Sequence, residues 1–283
     1  MLRFQRISSF EKIKCKMKQN LRENKKAEKI FDNIAEVAGL IDVRGWAEKN
    51  AGNISVNLTE YFESDFESEE LVELKKSYPE LVNNYFYITA TGSRMRDIAK
   101  GPLDCGLIIC LTREGKAYKI IHRGENCNPT SELPSHLGIH QMFKQRGSKH
   151  KIVLHSHATE LIALTQSSEF KSADAVNNVI WNMHPESIVF IPQGLGFVPY
   201  TLPGTEKIAL ETIEMFKNHD IVLWEKHGVF AIGECILDTF DNIDIACKSA
   251  RIWFMCRSAG FIPEGLTEAQ LDELRALVEK FKL

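Results

Sequence analysis

Three histidines stand where apolar, strand-like segments of the chain run out. His155-Ser156-His157 closes Ile152-Val153-Leu154, and His227 follows Leu223-Trp224-Glu225-Lys226. Side chains two residues apart share one face of a strand, so the imidazoles of the His-Ser-His pair point the same way. Three neutral imidazoles at about 2.0–2.1 Å bind zinc and leave a position open for substrate. No cysteine falls in these segments, which favours a catalytic site over a closed structural one. Each histidine alone would equally suit a core or hydrogen-bonding role, and H-x-H also occurs by chance and in unrelated metallohydrolases. The other six, His122, His136, His140, His150, His184 and His219, are expected as surface or helix residues.

A second set of residues suits acid–base work beside an anion. Pro129-Thr130-Ser131-Glu132-Leu133-Pro134 places two hydroxyls and a carboxylate just ahead of an expected helix. Backbone N–H groups at a helix start favour an anion, and Thr130 and Ser131 would add donors. Glu132 would then lie between a phosphate and the metal. A plain helix cap with an acidic first turn satisfies the same residues. Asn50-Ala51-Gly52-Asn53 and Thr91-Gly92-Ser93 are small polar turns that could present donors to phosphate oxygens. Turns of this composition are common, and nothing within either one decides.

Positioning these groups requires alternating helices and strands. Helical spacing of Ile30, Ile34, Val37, Ala38 and Ile41 predicts a helix over 27–48 that stops near Gly45. Alternation at Ile54–Leu58 predicts a strand, followed by an acidic, Ser-rich surface insertion from Glu60 to Glu80. Strands are expected at Tyr85–Ala90, Leu107–Leu111, Ala117–Ile121, Lys151–His157 and Ser187–Pro192, with a strand pair or one long strand over Ile221–Ile232. Helices are expected at Pro134–Gln145, Ala158–Gln166, Thr205–Asn218, Leu237–Ala259 and Thr267–Lys282. The alternation implies an α/β layered domain around a mixed or antiparallel sheet.

Composition removes several classes of function. Of 283 residues, 35 are Lys or Arg against 38 Asp or Glu, a net charge of −3 with mixed signs. A nucleic-acid partner would call for a basic excess. No apolar run is long enough to span a bilayer, so no membrane partner is expected. Seven cysteines without a C-x-x-C pair point to reduced thiols and a cytoplasmic protein. No linker or repeat interrupts the chain, so one domain is expected over residues 27–283. Residues 1–26 are basic and read as a solvated first helix or extension, a targeting peptide being the alternative.

Four blocks link these scattered signals. They are Gly45–Asn53 (GWAEKNAGN), Pro129–His136 (PTSELPSH), His155–Thr165 (HSHATELIALT) and Val222–Phe230 (VLWEKHGVF). In this order they are similar to the class II aldolase and adducin family, over about residues 30–260. Within it, Asn-x-Gly-Asn, the Ser-Glu-Leu-Pro turn and the acidic insertion resemble the members acting on L-rhamnulose 1-phosphate. The resemblance implies a three-layer α/β/α sandwich on a largely antiparallel central sheet. It also implies a cyclic homotetramer with active sites at subunit interfaces, and one zinc ion per subunit on His155, His157 and His227. By the same likeness Glu132 falls on the catalytic carboxylate. Asn50, Gly52, Asn53, Gly92, Ser93, Thr130 and Ser131 fall on positions that cradle the phosphate. Glu186 matches a carboxylate that the adjacent subunit supplies at the aldehyde end, although its spacing from the H-x-H is one residue longer than the family's.

The implied reaction is reversible retro-aldol cleavage of L-rhamnulose 1-phosphate to dihydroxyacetone phosphate and L-lactaldehyde, in L-rhamnose catabolism. An L-fuculose 1-phosphate aldolase, a pentulose-phosphate 4-epimerase or a sugar-phosphate dehydratase of the same family would use similar sites. The adducin branch uses this fold without catalysis, but this chain keeps all three histidines and Glu132. A zinc hydrolase built on H-x-H would have no use for three phosphate-type turns.

Overall fold

The computed structural model describes residues 25–62, 70–124 and 127–281. The basic segment through residue 24 and residues 63–69 of the acidic stretch lie outside the described residues. The chain divides into two compact units. One comprises the residues up to Leu40 with Asn53–Lys151, the other Ile41–Gly52 with Ile152–Leu283.

Helix α1 (Lys25–Arg44), which belongs to the first unit through Leu40, buries Ala27, Phe31, Ile34, Val37 and Ala38, the stripe that its three-and-four spacing dictates. Strands β1 (Asn53–Asn57), β2 (Leu71–Glu73), β3 (Tyr85–Thr89), β4 (Gly106–Thr112) and β5 (Ala117–Arg123) run in the order β2-β5-β4-β3-β1, each pair antiparallel. All five residues of β3 are buried, so it reads as a continuous apolar run and not an alternating one. A short helix α2 (Met95–Ile98) precedes β4. At the start of β4, a Cβ on Gly106 would lie 2.5 Å from the Tyr87 ring, so glycine lets that ring cover the strand. Helix α3 (Leu133–Arg146) has Pro134 in its first turn and stops at Gly147, whose φ of 62° is left-handed. Leu133 and Leu137 of α3 pack with Phe86, Ile88, Leu107, Ile109 and Ile120 in one apolar cluster. Fully burying a side chain such as Leu137 stabilises by about 1.5–3 kcal/mol, which pins the helix start and with it Glu132.

The second unit contains β6 (Ile152–Ser156), α4 (Thr159–Leu164), α5 (Ala173–Met183), α6 (Pro185–Phe190), β7 (Leu195–Val198) and α7 (Glu206–Met215). It continues with β8 (Ile221–Trp224), β9 (Gly228–Gly233), α8 (Ile236–Ser258) and α9 (Glu268–Phe281). Its strands run β6-β9-β8-β7; the first two pairings are antiparallel and β7–β8 is parallel. The fold is therefore of the expected class, α/β with helices flanking a largely antiparallel sheet. No described helix is long and apolar enough to cross a membrane.

One expected strand is a helix. Ser187–Pro192 reads as an apolar run, but the chain turns helical from Pro185, with Pro185 and Glu186 in the first turn of α6. Proline is preorganised for that position, and period alone cannot separate a short apolar strand from a buried helical turn. Ser187 Oγ and Ser249 Oγ of α8 share a buried hydrogen bond of 2.8 Å, which fixes α6 in place. Helix α5 and strand β7 lie outside the expected elements. Helix α5 has a readable signal, for Ser172 caps it by accepting from the Ala175 backbone N–H, and Val176, Val179 and Ile180 are its buried face. Strand β7 is four residues long and contains Gly196, too short to show a period.

Candidate metal centre and carboxylate network

The second unit brings His155, His157 and His227 together, with one ring nitrogen from each lying within 4.8 Å of the others. His155 is on β6, His157 follows the strand, and His227 sits in the three-residue turn Glu225-Lys226-His227 joining β8 to β9. That turn is tight. Lys226 adopts φ 61°, its N–H donates to Thr165 Oγ1 at 2.8 Å, and the His227 N–H donates to the Trp224 carbonyl at 3.1 Å. A Cβ at Gly228 would lie 2.5 Å from the Ser156 carbonyl oxygen and 3.3 Å or less from both strand histidines. Glycine there lets the hairpin close against the end of β6.

Hydrogen bonds choose which nitrogens remain for a ligand. His155 Nδ1 donates to the Val229 carbonyl at 2.9 Å, and His157 Nδ1 donates to Glu48 Oε1 at 2.6 Å. Both rings therefore keep an Nε2 lone pair, the arrangement in which an outer carboxylate or carbonyl orients a metal-binding imidazole. Burial, aided by the neighbouring His157, pushes His155 down to about 3, so it stays neutral. Burial alone would raise Glu48, but the His157 hydrogen bond, a backbone hydrogen bond and the nearby histidines bring its carboxyl below the usual range. The His155 ring stacks on Phe230 at 4.3 Å, which holds its orientation. Three imidazoles with no thiolate among them fit a divalent ion with an open position; among the described residues this is the cluster suited to one.

The first unit holds a different construction. Glu132, 9% exposed, stands at the start of α3 and makes no cap bond with its side chain; the Thr130 hydroxyl accepts the Glu132 N–H at 3.3 Å, so the capping role falls to Thr130 and not to the carboxylate. Instead its Oε2 accepts from Asn53 Nδ2 at 2.6 Å. The Asn53 carbonyl oxygen bonds His136 Nε2, His136 Nδ1 meets Ser55 Oγ at 2.7 Å, and Ser55 Oγ meets His140 Nε2 at 2.9 Å. His136 and His140 are on α3, as a helix reading allows, but both are buried, and so is His122 on β5. They are not surface residues. The missed signal is periodic. Residues 132, 136 and 140 share one face of a helix, and 53 and 55 share one face of a strand.

Two of the polar turns meet within this unit. The Thr91 N–H donates to the Asn128 carbonyl at 2.8 Å and the Thr130 N–H to the Thr89 carbonyl at 3.1 Å, while Ala90 and Pro129 form an antiparallel bridge. Gly92 is exposed with φ 79°, the Ser93 hydroxyl donates to the Cys105 carbonyl at 3.0 Å, Thr130 is buried and Ser131 exposed. Asn50 and Gly52 belong to the second unit, where the Ala51 N–H closes a turn on the Glu48 carbonyl at 2.9 Å. Glu186 is half exposed in the first turn of α6 and pairs with His184 Nε2 at 3.0 Å.

The description "Class II Aldolase and Adducin N-terminal domain" belongs to the family model that matches residues 32–254. The chain belongs to this family. Among its relatives, the rhamnulose-1-phosphate aldolase of Bacteroides thetaiotaomicron is 40% identical over 262 residues, covering 91% of this chain and 97% of that protein. The rhamnulose-1-phosphate aldolase of Mannheimia succiniciproducens is 35% identical over 246 residues, covering 84% and 89%. A sugar-phosphate aldolase structure from Thermotoga maritima superposes with a TM-score of 0.72 at 34% identity, covering 88% of this chain and all (100%) of that one. An L-fuculose 1-phosphate aldolase shares the fold at a TM-score of 0.59 and 17% identity, covering 90% and 97%.

Proposed function

We propose that this chain is a metal-dependent lyase that reversibly cleaves L-rhamnulose 1-phosphate to dihydroxyacetone phosphate and L-lactaldehyde. The histidine cluster carries the reaction class, and the rhamnulose-1-phosphate aldolases it resembles over most of its length supply the substrate. His155, His157 and His227 hold the ion through their ring nitrogens, those of His155 and His157 being left open by their other hydrogen bonds; zinc is our assignment because the donors are three imidazoles. When bound, the ion supplies Lewis acidity at the ketose oxygens.

The proton work falls to this chain's carboxylates. Cleavage breaks the C3–C4 bond, so the C4 hydroxyl loses a proton and C3 gains one. Glu132 is the group assigned to C3: it returns the proton there in cleavage and removes it in condensation. Glu186 is assigned to the proton at the aldehyde end, supplied from an adjacent subunit. For the phosphate we assign Gly92, Ser93, Thr130, Ser131, Asn50 and Gly52, on their match to the positions that cradle the phosphate in the family. Asn53, expected among them, has both ends of its side-chain amide engaged by Glu132 and His136, which supports its backbone and not its amide as the phosphate contact.

We further read the assembly as a homotetramer in the cytoplasm. Exposed Val43, Phe261 and Ile262 support burial between copies, and the free thiols of the described cysteines fit a reducing compartment. The test is to follow dihydroxyacetone phosphate release from L-rhamnulose 1-phosphate through a coupled dehydrogenase. Release that a chelator abolishes and zinc restores is the expected result; faster release from L-fuculose 1-phosphate by the zinc-loaded protein would overturn the substrate assignment.

A further inference from the structure

We propose that His136 is a positioning residue which, with Ser55 and His140, fixes the direction of the hydrogen-bond chain ending at Glu132. The proposal rests on the reading of Glu132 as the base. Five buried side chains lie in series, His140–Ser55–His136–Asn53–Glu132, and an Asn amide has nearly the same shape either way round. Something must decide that its NH2 end, and not its carbonyl, faces the carboxylate.

Proton counting decides it. Ser55 has one proton to give. If it gives that proton to His136 Nδ1, His136 carries its own at Nε2 and donates to the Asn53 carbonyl, which leaves the Asn53 NH2 for Glu132. Ser55 then accepts from His140 Nε2–H, and His140 Nδ1 is left as a bare lone pair. That atom is buried and has no hydrogen-bond partner. Running the chain backwards places a proton on this partnerless Nδ1 and turns the Asn53 carbonyl onto a carboxylate oxygen 2.6 Å away. A buried N–H without an acceptor is a rarer and costlier fault than an unused acceptor, and two oxygens bearing like charge repel. Only the first direction is free of both faults while Glu132 is ionised. Burial, with His136 and Lys144 beside it, holds His140 well below its ordinary value, consistent with the neutral ring this chain requires. His136 thus acts through Asn53, holding the base oriented for proton transfer.

Nitrogen NMR of histidine-labelled, substrate-free protein tests the direction without reference to activity. Both rings should be Nε2–H tautomers at neutral pH, assigned by loss of each signal in a single-site variant. An Nδ1–H tautomer or an imidazolium at either position overturns the proposal. Kinetics test its consequence. His136→Leu should lower kcat by about 10–100-fold, the worth of the Asn53 hydrogen bond to the charged Glu132 that it no longer holds in place, with KM changed by less than about twofold. His136→Gln, which restores an N–H facing Asn53, should recover about tenfold of that loss. Unchanged kcat in His136→Leu, or equal loss in both variants, overturns it. Should His136→Leu not fold, Ser55→Ala takes its place: kcat should fall and the His136 ring should no longer be purely Nε2–H, and retention of both overturns the proposal. Full turnover in Glu132→Gln would instead sink the base assignment, while the tautomers would still report the chain's direction.

Discussion

The histidine cluster and the Glu132 network solve the same problem, the aiming of a polar group, by opposite means. The cluster is fixed by backbone. Two histidines lie two residues apart at the end of β6, the third sits in a three-residue hairpin turn, and strand pairing sets their separation. Only one further hydrogen bond per strand histidine is needed to orient the rings. The network is fixed by side chains. Its members come from β1 and α3, 79 to 85 residues apart in sequence, and each holds the next through one bond. A backbone-built site tolerates little change in its few ligands but depends weakly on its surroundings. A side-chain-built site spreads its precision over residues that never touch substrate.

The largest expected effect follows from that contrast. His155→Ala or His227→Ala removes one of the three clustered imidazoles assigned to the metal. Near-complete loss of bound zinc and of turnover should occur together, read by metal analysis and the coupled assay. A variant that kept its metal would show that the cluster is not the ion's site. Glu132→Gln is next. It should retain the metal while turnover falls by about 10²–10⁴-fold, the usual worth of a general base. Parallel loss of metal would break the separation between the two constructions.

A smaller effect is expected at Glu48, the carboxylate that holds the His157 ring. Glu48→Gln exchanges a carboxylate for an amide against His157 Nδ1, weakening the orientation and basicity of that ring. Metal affinity should fall by about 10–100-fold, measured by competition with a chromophoric chelator. If affinity were unchanged, the strand geometry alone would suffice. The comparable change in the network, at His136, is expected to leave metal affinity alone and reduce kcat.

The same contrast explains what the sequence revealed. H-x-H at the end of an apolar strand and a third histidine before a glycine are short-range patterns, and the structure gathers those three residues. The turn carrying Glu132 was visible as a helix start with a carboxylate. What supports Glu132 was not, because a hydrogen-bond chain between β1 and α3 requires knowing that the two elements face each other. His136 and His140 looked like ordinary helix residues, although their spacing from Glu132 by four and eight already placed all three on one face. In the second unit, Ser187–Pro192 misled because six apolar-rich residues fit either period, and the proline before them was the better guide.

The smallest effect reaches both regions at once and concerns stability in acid. His140 in the first unit and His155 in the second are neutral because burial opposes their charge. Unfolded, each regains its ordinary value of 6.5 and binds a proton that the folded form refuses. Stability from these groups is therefore complete above pH 6.5 and declines as pH falls below it. The decline continues to about 3 for His155 and to a point well below 6.5 for His140. Each histidine contributes a slope approaching about 1.4 kcal/mol per pH unit in that window. Urea unfolding of metal-free protein at steps from pH 7.5 to 5 measures the sum. His140→Gln should remove about one proton's worth of slope while leaving the His155 share intact. An unchanged slope would mean that His140 takes up its proton in the folded state, and the buried chain in the first unit would then be more open to charge than the strand-built cluster in the second.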